Sequence, residues 1–286
     1  MVTLEDYHSD DPIAWCPGCG NFSILKALKS ALVELNKRPG EIVIVSGIGQ
    51  APKTPHYLRC NTFNGLHGRT LPVATGIKLS IHELTVLAEG GDGDGYGEGG
   101  NHFVHAMRKN IDLTYLVHNN QVYGLTKGQT SPTSEKGYVS RTTPKGSPHP
   151  PMRPLLIAIA SNCSFVARGF SGETEHLTSL IKEGILNKGF AFIEILQNCV
   201  SFNKVNTFQW YKGRVYNVNE NPKYDPSDRM TAFSRAQEWG EKIPIGILFR
   251  TERPTLGAQE PAIKEMSLVE QKVDPADFAG MLETFK

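Results

Sequence analysis

Between Gly91 and Gln129 the chain carries a succession of elements that few folds accommodate. Leu84-Thr85-Val86-Leu87-Ala88 is a short apolar run and reads as a buried strand. Gly91-Asp92-Gly93-Asp94 and then Gly99-Gly100-Asn101-His102 follow it. Phe103, Val104, Ala106 and Met107 fall at helical spacing, which predicts a helix over 101–110. A second strand is expected over 113–117, with Asn119-Asn120 at its carboxyl end. Strand, glycine-rich loop, helix and strand form a βαβ unit, and such units bind ligands outside the carboxyl ends of their strands. Asp92 and Asn120 stand at two such ends, within reach of one ligand. A carboxylate and an amide carbonyl are hard oxygen donors, suited to Mg²⁺, which takes few protein ligands plus phosphate oxygens. The glycines let backbone N–H groups close on a diphosphate. A lone Gly-Asp-Gly is a common turn; the paired asparagines one βαβ unit later set this stretch apart.

That spacing resembles the thiamine-diphosphate-binding fold. The resemblance implies that Asp92 and Asn120 bind Mg²⁺ with the backbone carbonyl of Val122, and that Gly91, Gly93, Asp94 and Gly124 lie against the cofactor. The longer run Gly-Asn-His…His-Ala…Arg…Asn-Asn…Tyr-Gly-Leu-Thr-Lys-Gly-Gln is narrower. It is similar to the β subunit of a 2-oxoacid:ferredoxin oxidoreductase of the 2-oxoglutarate type, and the likeness extends from about Cys16 to about Arg250.

Strands and helices alternate along the chain, so an α/β fold is expected, a parallel sheet with helices on both faces. Its 286 residues suffice for one good core with an appendage. Residues 1–250 read as one domain, and 251–286, bearing Pro and Glu, as a tail packing on a neighbouring subunit. No apolar run approaches a membrane span. The amino terminus lacks a basic start followed by an apolar segment, which speaks for the cytoplasm. A net charge of +1 removes the electrostatic case for nucleic-acid binding. Five cysteines without a signal peptide point to metal or cluster ligation over disulfides.

Trp15-Cys16-Pro17-Gly18-Cys19-Gly20-Asn21 precedes a helix striped by Ile24, Leu25, Leu28, Ala31, Leu32 and Leu35. A Cys-x-x-Cys pair there admits thiol redox, zinc or iron–sulfur chemistry. A thioredoxin-like pair should follow a strand, and residues 1–14 offer none. Gly18 and Gly20 let the backbone approach a diphosphate or cluster. The resemblance makes Cys16 and Cys19 ligands of a 4Fe–4S cluster beside the thiamine, with Gly18, Cys19 and Gly20 against the cofactor. It makes Cys199, after the expected strand 190–196, a third ligand. The family's remaining cysteine directly follows a Gly-Ile-Gly turn, where this chain has Gln50. Cys60, in the same loop, is the expected substitute, since four thiolates normally hold a cubane. Cys163 reads as a small buried hydrophobe.

Further strands are expected over 41–46, 165–168 and 243–250, and helices over 155–161, 173–186 and 229–239. His67, in His67-Gly68-Arg69, faces the cofactor by resemblance; otherwise it caps the following helix. Lys53 matches a family basic residue reaching the substrate carboxylate, against the plain reading of a surface lysine. Leu125 corresponds to the apolar side chain under the bent cofactor, with Thr126 and Lys127 facing phosphates or substrate. Lys127 to Pro154 is too long for a simple connection and reads as an ordered loop over the site.

The resemblance implies thiamine-dependent oxidative decarboxylation of a 2-oxoacid, 2-oxoglutarate before pyruvate. Products would be acyl-CoA and CO₂, with one-electron transfer through the cluster to ferredoxin, or the reverse carboxylation. It also implies an α subunit that bears the pyrimidine-binding domain and its catalytic glutamate, assembled as α₂β₂. Glu89 and Glu98 sit too near the glycine loop to serve as that glutamate. Two other readings share part of the pattern. A non-redox thiamine decarboxylase or carboligase domain would need Asp92 and Asn120 but no clustered cysteines. A non-catalytic iron–sulfur or metal-binding subunit would use the glycine loop structurally.

Overall fold

Ile-Val-Ile-Val-Ser at 42–46 is buried at every position, which a strand achieves only when both sheet faces are covered. The computed structural model describes residues 1–272 and 274–285. In chain order its elements are α1 (Asn21–Glu34), β1 (Ile42–Ser46), β2 (Asn61–Asn64), α2 (Thr70–Ser80) and β3 (Thr85–Gly91). Then come α3 (Gly100–Lys109), β4 (Leu113–Asn119), the hairpin β5 (Val122–Tyr123) and β6 (Gln129–Thr130), and α4 (Pro154–Ala160). They continue with β7 (Phe165–Phe170), α5 (Thr174–Leu186), β8 (Phe190–Leu196), α6 (Phe208–Lys212) and β9 (Val215–Asn217). The last are α7 (Arg229–Gln237), β10 (Ile243–Arg250), α8 (Leu256–Gln259) and α9 (Pro275–Glu283).

Eight strands form one sheet in the order β2-β1-β3-β4-β8-β7-β10-β9. Six are mutually parallel, whereas β10 pairs antiparallel with β7, and β9 follows β10. The expectation of a parallel sheet is thus met except at this edge. No helix crosses back between β8 and β9; the chain stays on the carboxyl side and enters β9 from there. Helices cover both faces. α1 and α5 pack Ile24, Leu28, Leu32, Leu177 and Ile181 against Ile44, Leu87, Leu116 and Ile193. On the other face α2, α3, α4 and α7 pack Leu71, Phe103, Met107, Leu155 and Ala232 against Val45, Val86, Tyr115 and Phe192. Among the described residues no helix is long and apolar enough to cross a membrane.

The expected helices and strands of the βαβ unit all form, but β3 and β4 run two or three residues further than the apolar runs indicated, through Gly91 and Asn119. The sequence reading did not include β2, the β5–β6 hairpin, β9, α6, α8 or α9. Each is short, or polar like Asn61–Asn64, and is held by pairing rather than by its own pattern. The tail divides. Arg253 donates to the carbonyls of Met107, Arg108 and Asn162, and Ile263 and Ser267 are buried, so its first part returns to its own domain. α9 has no buried residue.

Asn110 holds several of these elements together. It ends α3 in the left-handed conformation, φ 54°. Its buried Oδ1 accepts from the backbone of Phe190 at 2.9 Å and from the Ser164 hydroxyl. Its Nδ2 donates to the carbonyls of Arg253 and Pro254 at 3.0 and 3.2 Å. Asn110→Ala should therefore destabilise the protein by about 2–4 kcal/mol, because buried donors and acceptors at β8 and after β10 lose their partners. Urea unfolding measures it.

Candidate active site

β3 runs into a six-residue π-helical turn, Gly93–Glu98, with Asp92 at its head. Such turns are rare and frequent at functional sites. This one sends two carboxylates from neighbouring positions to different tasks. Asp94 Oδ1 accepts from the backbone N–H groups of Ile48 and Gly68 at 2.9 and 2.8 Å and lies 2.7 Å from His67 Nδ1. Its Oδ2 accepts from Thr70 Oγ1 at 3.2 Å. Asp94 fastens the exit of β1 and the entrance of α2 onto the turn and also lines the cavity that Asp92 borders. The fit leaves no room at Gly47, where a Cβ would lie 2.1 Å from Asp94 Oδ2. At Gly93 a Cβ would lie 2.2 Å from the Tyr123 ring.

Asp92 sits 1% exposed. Its Oδ2 accepts from Ser131 Oγ at 2.5 Å and Thr133 Oγ1 at 2.6 Å. Burial pushes its carboxyl up to about 6, with the two hydroxyls acting against that. Among the described residues no cationic side chain pairs with it. Across a cavity of about 110 Å³ stand Asn120 and Val122. Asn120 Oδ1 accepts from Val122 N–H at 3.0 Å, closing a turn, and its backbone carbonyl accepts from Asn203 Nδ2 at 3.1 Å. His67 and every cofactor residue expected on 91–94 and 120–126 line this cavity: Gly91, Asp92, Gly93, Asp94, Asn120, Val122, Gly124, Leu125 and Thr126. A buried carboxylate without a counter-ion, an amide and a nearby backbone carbonyl fit a small hard cation that takes its other ligands from phosphate and water.

Tyr123 was not expected. It lines the same cavity, meets His67 edge-on at 6.2 Å, and donates to Glu98 Oε2 at 3.2 Å. Glu98 Oε2 also lies 3.2 Å from His67 Nε2. His67 is thus held at both ring nitrogens by carboxylates, which fixes its plane at the rim. Lys53 is half-buried in the single-turn helix Ala51–His56 and, like Gly18, Cys19 and Gly20, does not line the cavity. Lys127 is exposed, with φ 75°.

The cysteine loops meet across the carboxyl edge of the sheet. Gln197 Nε2 donates to Cys19 Sγ at 3.2 Å, and Ser201 Oγ to Cys16 Sγ at 3.1 Å. Asn198 Nδ2 donates to the carbonyl of Gly18 at 3.1 Å. Burial pushes the Cys19 thiol up, and the neighbouring Cys199 and Cys16 add to that. Cys60 stands apart. Its thiol donates to Asn61 O at 3.3 Å at the start of β2, and burial followed by Glu89 pushes it up to about 12. The asparagine after it pairs with Val43 near the beginning of β1, away from the strand ends where Cys19 and Cys199 lie. Cys163 is buried, within 3.3 Å of the carbonyls of Phe165 and Phe190. Among the described residues no three His, Cys, Asp or Glu side chains gather closely enough to hold a metal ion.

Residues 44–195 match the thiamine pyrophosphate enzyme, C-terminal TPP binding domain family. Residues 199–265 match the C-terminal family of the pyruvate ferredoxin oxidoreductase beta subunit. The 2-oxoacid:ferredoxin oxidoreductase subunit beta of Saccharolobus solfataricus is 43% identical over 279 residues, 93% of this chain and 92% of that one. The chain belongs to the β subunits of 2-oxoacid:ferredoxin oxidoreductases. The 2-oxoglutarate synthase subunit KorB of Methanocaldococcus jannaschii is 40% identical over 85% of this chain and 89% of that one. A solved structure, 2-oxoglutarate:ferredoxin oxidoreductase from Magnetococcus marinus with 2-oxoglutarate, coenzyme A and succinyl-CoA bound, aligns with a TM-score of 0.90 and 37% identity. It covers 98% of this chain and 96% of that one. Asp92 and Asn120 of this β subunit fall inside the thiamine-binding match; Cys16 and Cys19 precede it and Cys199 follows it.

Beneath the site the β subunit buries a group of polar side chains that the sequence did not single out. Glu89 is fully buried, with neither carboxyl oxygen hydrogen-bonded, 3.9 Å from His118 Nε2. His118 Nδ1 lies 2.9 Å from Asn21 Oδ1. Burial pushes Glu89 up to about 8 and the His118 imidazole down to about 3, so both are neutral at pH 7. A carboxyl raised in the folded state contributes its full stability below the unfolded value near 4.5 and loses it as pH rises through about 8. Glu89→Gln, unable to ionise, should melt progressively higher than the native protein between pH 5 and pH 9. Thermal scans across that range test it; a constant difference would contradict the burial argument.

Proposed function

We propose that this β subunit binds the diphosphate end of thiamine diphosphate through a Mg²⁺ ion held by Asp92, Asn120 and the Val122 carbonyl. The supporting observation is Asp92 itself, a buried carboxylate on a cavity wall with hydroxyls but no cation beside it. When bound, thiamine diphosphate supplies the nucleophilic carbon and electron sink for breaking the bond between a 2-oxoacid's keto carbon and its carboxylate. The chain's own residues bind and orient. Backbone N–H groups around Gly91, Gly93 and Gly124 would hold the phosphates and Leu125 would pack against the thiamine, while His67 is fixed at the rim by Asp94 and Glu98. Thr126, on the cavity wall, and the exposed Lys127 would serve phosphate or substrate. Gly18, Cys19 and Gly20 approach from the loop held by Asn198.

Cys16, Cys19 and Cys199 are proposed as thiolates of a 4Fe–4S cluster that passes single electrons to ferredoxin, with Cys60 as the fourth only if its loop moves. The substrate is read as a 2-oxoacid, 2-oxoglutarate ahead of pyruvate, with coenzyme A taking the acyl group in the oxidative direction. Two relatives whose names specify 2-oxoglutarate support this, as does Lys53, half-buried and free of a carboxylate partner among the described residues. An α subunit would complete the site with the aminopyrimidine-activating glutamate, in a cytoplasmic α₂β₂ assembly in which the terminal segment around α9 contacts a neighbour.

Asp92→Ala should abolish Mg²⁺-dependent thiamine diphosphate binding in calorimetry, and unchanged affinity would remove the metal assignment. Lys53→Ala should weaken 2-oxoglutarate by about 1.5–3 kcal/mol, the worth of a charge-assisted hydrogen bond, and pyruvate by less. Equal losses in steady-state kinetics would mean that Lys53 does not read the distal carboxylate. Iron content after anaerobic reconstitution tests the cysteines: losses in Cys16→Ser, Cys19→Ser and Cys199→Ser are expected. An equal loss in Cys60→Ser would mean that its loop rearranges around the cluster.

A further inference from the structure

The long loop after the hairpin supplies hydroxyls to Asp92. Ser131 Oγ and Thr133 Oγ1 both reach the same carboxylate oxygen, Oδ2, at 2.5 and 2.6 Å. The other oxygen accepts no side-chain hydrogen bond among the described residues. Behind Thr133 runs a buried chain. Its hydroxyl lies 2.9 Å from Asn119 Oδ1, Asn119 Nδ2 donates to Glu194 Oε1 at 2.9 Å, and Glu194 Oε2 accepts from Arg168 Nε at 2.9 Å. Arg168 and Glu194 are direct register partners on β7 and β8, both nearly inaccessible to solvent.

The polarity is fixed as far as Thr133, whose single hydroxyl proton serves Asn119 Oδ1 or Asp92 Oδ2 but not both at once. Glu194, paired with a guanidinium, is an acceptor, so the Asn119 amide must turn its NH₂ towards it. That aims the Asn119 carbonyl at the Gln121 N–H, 3.2 Å away, and at Thr133. The loop is tied down independently: Gln121 Nε2 donates to Thr133 O at 2.9 Å and Ser134 Oγ to Gln121 O at 2.6 Å. One rigid piece thus joins the sheet, the asparagine turn and the hydroxyl loop, and it ends on one oxygen of one carboxylate.

We infer that Ser131 and Thr133 are positioning residues for the cation: by occupying Oδ2 they make Asp92 a one-oxygen ligand with a fixed orientation. Arg168, Glu194 and Asn119 are the brace behind them. The inference rests on the metal reading above. It goes beyond that reading in assigning a role to residues that do not themselves line the cavity. Mg²⁺ demands near-ideal octahedral geometry and leaves little tolerance for a carboxylate free to rotate or to chelate through both oxygens. Partners of metal ligands commonly govern affinity by about 10–100-fold.

The test is a Mg²⁺ titration of thiamine diphosphate binding, followed by calorimetry on the assembled complex. Thr133→Val keeps the shape and loses the hydroxyl; Thr133→Ser keeps the hydroxyl. The Mg²⁺ concentration for half-saturation should rise by about tenfold or more in Thr133→Val and Ser131→Ala and stay near the native value in Thr133→Ser. Native-like titrations in Thr133→Val and Ser131→Ala would overturn the inference, as would equal losses in the Val and Ser variants, which would mark a packing role. If Thr133→Val does not fold, Ser131→Ala decides alone by the same criterion. Native binding that ignores Mg²⁺ would instead sink the metal reading itself, so the two failures are distinguishable.

Discussion

The carboxylate of Asp94 is the fastening on which the rest of the site depends. Four donors from three stretches of chain converge on it: Ile48 after β1, His67 and Gly68 before α2, and Thr70 in the first turn of α2. Donors in that number satisfy the oxygens of a buried carboxylate. The space it needs is made by Gly47. Asp92, two positions earlier at the head of the same turn, takes its side-chain hydrogen bonds from two hydroxyls, and burial raises its carboxyl. Two aspartates in one tetrapeptide thus meet different surroundings, one tied by backbone, ring and threonine donors and the other by two hydroxyls of the long loop.

The cysteine loops are tied to this cavity rather than merely near it. Asn203, four residues after Cys199, donates to the carbonyl of Asn120. Trp15, adjacent to Cys16, donates through its indole to the carbonyl of Gln50, which lines the cavity. Tyr138 in the long loop donates to Phe202 O at 2.8 Å, joining that loop to the Cys199 segment. These bonds hold the sulfur-bearing loops, the asparagine turn and the long loop in one arrangement.

Local order carried much of the outcome. The βαβ unit from β3 to β4 was readable because apolar runs, glycines and helical spacing all agreed over one short interval. Family likeness then named many of the residues that line the cavity, Gly91 to Asp94 together with Asn120, Val122, Gly124, Leu125 and Thr126, but not Tyr123 or the stretch from Ile48 to Ala51. What adjacency suggested for Cys60 did not translate into proximity: between Gln50 and Cys60 the chain runs back to the amino side of the sheet, where Asn61 opens β2 opposite Val43. Polar edge elements such as β2 and β9 were invisible for a related reason, since pairing with a neighbour rather than internal pattern makes them strands.

By itself, the sequence determined that strands and helices would alternate, that both sheet faces would be covered, and that an aspartate and an asparagine would arrive at neighbouring strand ends. These follow from apolar periodicity and glycine placement, which act over a few residues. Tertiary structure alone decided which aspartate keeps a free oxygen, that Ser131 and Thr133 would hold the other, and that β10 would run against its neighbours. It also decided that Arg168, Glu194 and Asn119 would stand in one line behind the site. Those outcomes depend on groups as much as 75 positions apart along the chain, such as Asn119 and Glu194, meeting in a dry interior. There an unpaired polar atom is costly, and hydrogen bonds gain strength from the low local dielectric.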